Sequence, residues 1–156
     1  MVPVYDHESV RRWLDVCAAK HEGCPGNDWV KLPTTLVEVS PPGSPESACL
    51  RFTDGQEGRY ATFSYCWGGP QPFDTVAASL AAYSRELPYT RLPKTILDAF
   101  QVTRCRGLRY IWIDSLCIVQ DDPDDKQREL PKMFRIYGNS FITISRPVLE
   151  AVMTGF

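Results

Sequence analysis

Three stretches of this 156-residue chain place reactive side chains where a fold could use them. The apolar run Tyr110 to Ile113 has the length of a strand and ends on Asp114 and Ser115. Ligands of open α/β sheets gather outside the carboxyl ends of strands, so a carboxylate there is positioned to meet one. Asp and Ser also tie down loop backbone after strands, and both roles stay open. A second strand, Tyr60 to Tyr65, ends on Ser64 and Tyr65, with Trp67, Gly68 and Gly69 beyond. Trp67 offers a stacking face for a flat base, and the glycines let a backbone approach closely. The third stretch carries Glu129, read as the first-turn residue of a helix. A carboxylate there can stabilise a developing positive charge or accept hydrogen bonds from hydroxyl groups. The dipole of a helix N-terminus favours the same residue without any catalysis.

Other chemistry fits less well. Cys17-x3-His21-x2-Cys24 has the outline of a zinc half-site, but a fourth ligand is needed and His7 and Cys49 are both distant in sequence. Its plainer reading is a helix end with small thiols. His7 and His21 have no spacing that ties them to Cys66 or Cys117, which argues against a cysteine nucleophile. Gly68-Gly69-Pro70 is too short for a phosphate-cradling loop and lacks the following lysine.

The elements that must position these residues follow from periodicity. Val10, Trp13, Leu14 and Cys17 share one face of a helix spanning 6–20, with Asp6 as its cap. Thr35 to Val39 and Cys49 to Thr53 read as strands joined through a Pro/Gly-rich hairpin loop. Asp74 caps a helix through Ser84, and Thr95 with Asp98 forms a capping box for a helix that Gly107 ends. Strand 110–113, a helix from about Glu129 to Tyr137 and strand 141–145 complete the order. Strand, helix, strand, helix, strand implies parallel βαβ units.

Composition sets outer bounds. The hydrophobic fraction of 44% suffices for one packed domain. A net charge of −2 gives no basic face for nucleic acid. No apolar run is long enough to span a bilayer, and Met1 to Glu8 lacks the layout of a secretory signal. A cytoplasmic protein with six reduced cysteines is expected.

Four blocks in order resemble the fungal heterokaryon-incompatibility (HET) domain. Tyr60 to Gly68 is similar to "YxxLSYxWG", with Phe63 for the usual Leu, and Leu92 to Ala99 is similar to "LPxTIxDA". Tyr110 to Gln120 is similar to "YxWIDxxCIxQ", and Asp121, Glu129, Met133 and Ile136-Tyr137 follow "D…E…M…IY". Lys126 stands where an aromatic is common, and Pro131 is expected to delay the last helix. Residues 60–156 would be the domain core, with 1–59 as a helix-and-hairpin lead-in. The resemblance implies nonself recognition and programmed cell death, with an upstream recognition protein as partner.

The element order also resembles the first half of a Toll/interleukin-1 receptor (TIR) domain. That resemblance implies a three-layer, flavodoxin-like α/β fold with a mainly parallel sheet. Members that cleave NAD+ use a glutamate at the place of Glu129 and work as homo-oligomers. On this reading Glu129 is catalytic, and Ser64, Tyr65, Trp67, Gly68, Asp114 and Ser115 bind substrate. NAD+ is then the substrate and no resident cofactor or metal is needed. The competing expectation is a self-associating interaction module in which Asp114 and Glu129 are structural.

Overall fold

In the computed structural model, residues 7–22, 28–41, 43, 45–65, 69 and 71–145 are described. Helix α1 (His7–Lys20) comes first, then β1 (Val30–Lys31), β2 (Thr35–Glu38), β3 (Cys49–Phe52), β4 (Glu57–Gly58) and β5 (Tyr60–Ser64). Helices α2 (Ala77–Tyr83) and α3 (Lys94–Cys105) lead to β6 (Tyr110–Trp112). The short helix α4 (Asp114–Cys117), then α5 (Pro123–Glu129) and α6 (Met133–Gly138), connect β6 to β7 (Ile142–Ser145).

Five strands form one sheet in the order β3-β2-β6-β5-β7. The pairings β5·β6 and β5·β7 are parallel; β2·β3 and β2·β6 are antiparallel. The sheet is therefore mixed, where the sequence pattern predicts a mainly parallel one. The N-terminal hairpin supplies the antiparallel half by pairing Val37 with Ile111 and Glu38 with Tyr110. Hairpin strands of period-two pattern carry no mark of which edge they will join, so this was not legible locally.

The β5 strand is buried on both faces from Tyr60 to Phe63 and emerges only at Ser64. That is the signature of a central strand in a parallel segment. Its register with β7 is held by side chains as well as backbone: the Thr62 hydroxyl lies 2.8 Å from that of Thr143 and 3.1 Å from that of Ser140. The strands share one core with Tyr83, Ile96, Ala99, Phe100 and Ile136 from the helices. Trp112 meets Tyr137 edge-on at 5.6 Å between ring centres.

The Tyr60 phenol reaches across to the Ile136 carbonyl at 2.5 Å. Burial pushes its pKa from 10.0 to about 12. A phenol raised in this way favours the folded state fully below pH 10, and that contribution is lost as pH rises from 10 through about 12. Tyr60→Phe is expected to cost about 1 kcal/mol at neutral pH through the lost hydrogen bond. It should also flatten the alkaline fall in stability, as read from denaturant midpoints on either side of pH 10. An equally steep fall in the variant would assign the alkaline loss elsewhere.

The predicted strand ends hold to within one residue, but several helix starts differ. Pro93, not Thr95, is the residue before α3, and Lys94 pairs with Asp98 at 2.6 Å on the exposed face. Asp74 instead closes a turn by accepting from the Gln71 N–H at 3.0 Å, and α2 begins at Ala77. The largest difference concerns Glu129. It is the last residue of α5, not the first of a helix, because the chain turns helical at Pro123. Asp122 caps that start, its Oδ1 accepting from the Asp124 and Asp125 N–H groups at 3.0 and 3.2 Å. Pro131 sits in a short 3-10 turn between α5 and α6. Asx followed by Pro at the first helical position was the signal that could have found this start. Among the described residues, no helix is long and apolar enough to cross a membrane.

Candidate functional site

The carboxyl ends of β5 and β6 lie side by side because Thr62 pairs with Trp112. Each strand ends in polar residues, so the sheet places Ser64 and Tyr65 beside Asp114 and Ser115. Trp67 and Gly68 fall outside the described residues.

The backbone turns into α4 as soon as Ile113 leaves the strand, with Ile113 as its N-cap. Ser115 donates its N–H to Asp114 Oδ1 at 2.8 Å. The turn is pinned from two sides. Thr75 donates its N–H to the Ser115 carbonyl at 3.0 Å and its hydroxyl to the Leu116 carbonyl at 2.7 Å. Gln120 donates from Nε2 to the carbonyls of Asp114 and Ile118 at 3.1 and 3.0 Å. Asp121 accepts from the Ala77 N–H at 2.8 Å, which caps α2 across the loop. Gln120 and Asp121 thus tie the loop down.

Inside this frame three polar atoms are buried without a partner among the described residues: Tyr65 Oη, Ser115 Oγ and Asp74 Oδ1. Ser115 is 0% exposed. Native proteins pair most buried polar groups, and exceptions gather at sites that bind something. The electrostatics show these groups to be neighbours. Burial raises the Tyr65 phenol, the Ser115 hydroxyl beside it pulls it back, and the Asp114 and Asp74 carboxylates raise it again. Burial likewise raises the Tyr137 phenol, Asp114 adds to that, and contact with the Ser64 hydroxyl lowers it. Asp74 is raised by burial against the opposing effects of the Gln71 N–H and Lys126. Asp114 is half-buried at the centre of the group.

Among the described residues Glu129 shares no hydrogen bond with this group. Its side chain is only 5% exposed, so it points inward. Among the described residues its one hydrogen bond comes from Lys132 Nζ at 2.9 Å, and that ammonium also reaches Thr34 Oγ1 at 3.3 Å. A carboxylate at the C-terminal end of a helix opposes the dipole, and Lys132 offsets that. Cys117 is buried within electrostatic reach of both Asp114 and Glu129. Burial drives this thiol up to about 12, and the charges of both Asp114 and Glu129 contribute.

Residues that sequence reasoning missed are Asp74, Thr75, Tyr137 and Lys132. Tyr137 was within reach, since it ends one of the resembling blocks. Thr75 carries no local signal, because its importance comes from Ser115 and Leu116, distant in sequence, and the local signal of Asp74 was that of a helix cap. Of the possible zinc half-site, Cys17 is half-buried and His21 exposed, while Cys24 falls outside the described residues.

The geometry explains most of the sequence blocks as structure. Trp112, Ile113, Cys117 and Ile118 are core, Leu92, Ile96 and Ala99 pack α3, and Tyr60 anchors α6. Asp114 and Ser64 are left as residues whose placement the core does not require, while the Tyr65 ring stacks on Phe63 and packs against the core with its hydroxyl at the strand tips. The family described as Heterokaryon incompatibility protein (HET) matches residues 60–149, more than half of the chain. No curated protein matches, and no solved structure does.

Proposed function

The chain belongs to the heterokaryon incompatibility (HET) family, and from that premise we propose that it acts in nonself recognition by cleaving the nicotinamide–ribose bond of NAD+. The observation that carries this reading is the set of buried oxygens on Tyr65, Ser115 and Asp74 around Asp114, which find no hydrogen-bond partner outside their own group among the described residues. A polyhydroxylated sugar is the kind of ligand that satisfies several such groups at once. Two further features support a TIR-like architecture. The parallel strands run in the order second, first, third (β6, β5, β7), which begins the flavodoxin-like order. Right-handed crossovers to β6 on one side and to β7 on the other would cover opposite faces, giving three layers.

Asp114 and Ser115, with Ser64 and Tyr65, would hold the ribose hydroxyls, and Trp67 and Gly68 would complete the pocket floor. As nicotinamide leaves with the bonding electron pair, the ribose carbon takes on oxocarbenium character. Glu129 supplies negative charge toward it, and water adds to give ADP-ribose, nicotinamide and a proton. For Glu129 to act, Lys132 must release it, and assembly of several chains is the step that would do so. Incubating clustered protein with NAD+ is expected to release nicotinamide. Intact NAD+ after prolonged incubation would defeat the hydrolase reading.

A second reading, a self-associating interaction module, is favoured by one specific surface. Phe134 is 92% exposed and Leu130, four residues earlier, is 51% exposed. Leu130 lies in the short 3-10 turn and Phe134 in the first turn of α6; exposed apolar side chains so close in the chain suit a partner surface. Phe134→Ser is expected to abolish self-association in sedimentation while shifting the melting temperature by less than about 2 °C, since the side chain packs on nothing. Unchanged association would remove this face from consideration.

A further inference from the structure

A cavity of about 290 Å³ opens between the segment linking β1 to β2 and helix α6, reaching the amino end of β5 at Tyr60. Lys31, Thr34, Lys132, Arg135 and Asn139 line it, and no carboxylate does. Among the described residues Lys31 and Arg135 enter no ion pair; Lys132 alone is paired, with Glu129 behind the wall. Three cations therefore converge on a concave surface with one negative charge to balance them. Thr34 and Asn139 add neutral donors between them.

We propose that this cavity binds the phosphoryl group of a small phosphorylated molecule. A doubly charged anion matches the two unpaired cations, and charge-assisted hydrogen bonds from an Arg and two Lys favour phosphate geometry. The volume falls at the small end of the range of about 300–1,000 Å³ usual for small-molecule sites. It admits a phosphate with a sugar-sized body but not a folded partner. Occupancy has a consequence at Glu129. An anion that draws Lys132 toward the cavity loosens its pair with Glu129, so the site is coupled to that carboxylate. Coupling is reciprocal: removing the Glu129 charge frees Lys132 and tightens anion binding.

The test is calorimetric titration of the full chain with inorganic phosphate and with ribose 5-phosphate, at ionic strength fixed with chloride. Lys31 and Arg135 are exposed, so Lys31→Ala with Arg135→Ala leaves the core intact, which a thermal melt checks. That double variant is expected to bind both probes at least tenfold more weakly. Lys20→Ala with Arg85→Ala, which removes the same charge elsewhere, should bind as wild type does. Glu129→Gln should bind at least as tightly as wild type. No measurable phosphate binding, or an equal loss in the control pair, would overturn the site. Ribose 5-phosphate binding no more tightly than inorganic phosphate would overturn its assignment to an organic phosphate. Each readout is binding alone, so the result stands apart from any NAD+ cleavage.

Discussion

Glu129→Gln is expected to lower nicotinamide release from NAD+ by about 100-fold or more, the scale of losing one charge-stabilising group in a transition state. Its melting temperature should stay within about 2 °C of wild type. The structural cost is small for two reasons. Gln has the same size, and its amide oxygen still accepts from Lys132 Nζ. The lysine side chain is 48% exposed, so it regains water when its partner loses charge. Asp114→Asn belongs in the same experiment. Asn retains an oxygen for the Ser115 N–H, so the fold persists while the charge beside Tyr65 and Tyr137 disappears. A comparable loss of activity is expected. If Asp114→Asn alone inactivates the protein, the charge-stabilising role moves from Glu129 to the strand tip. Full activity in both variants would leave no carboxylate to carry the hydrolysis. A marked drop in the melting temperature of Glu129→Gln would make that residue a scaffold element.

The second large effect concerns stability and lies far from any proposed chemistry. Glu38 is 0% exposed and is held between the guanidinium groups of Arg51 and Arg109, each about half-exposed. Two cations face the buried Glu38 carboxylate, one from the side of each neighbouring strand. Removing both, as in Arg51→Ala with Arg109→Ala, leaves a carboxylate inside the sheet whose remaining side-chain partner among the described residues is the Cys49 thiol. That arrangement is expected to cost about 3–5 kcal/mol. Urea midpoints measure it directly, and the corresponding fall in melting temperature is about 6–20 °C for a domain of this size. Either single variant should cost much less, because the other arginine remains. Glu38→Gln should also cost less than the double arginine variant, since both freed guanidinium groups already reach water. A double variant within about 1 kcal/mol of wild type would mean that the buried carboxylate is neutralised by other means.

These two clusters differ in how far the chain announced them. The strand ending on Asp114 was legible because an apolar run of strand length followed by two small polar residues has few other interpretations. Ser64 and Tyr65 were legible for the same reason. Tyr60 to Phe63 and Trp112 to Ile113 appear as core in both the pattern and the structure. Glu38 was not legible at all. In sequence it is one acid in a strand of alternating character, and its partners lie 13 and 71 residues away. The acidic run Asp121 to Asp125 carries the caps of this region: Asp121 caps α2, Asp122 caps α5, and Asp125 accepts from the Val119 N–H at 2.9 Å. Once those caps exist the helix begins at Pro123, and Glu129 moves from its expected place at a helix start to a helix end.

By itself the sequence determined the five strands of the main sheet, the strand tips and the family, because these depend on local periodicity, on turn chemistry and on ordered blocks of residue types. The tertiary structure decided which edge of the parallel strands the hairpin joins, and with it the mixed sheet. It also decided that Asp74, Tyr65 and Ser115 share one buried space and that Glu129 turns toward Lys132. Pairing and burial arise from contacts between distant segments, and such contacts are set by the packing of the whole chain, to which no single stretch of residues has access.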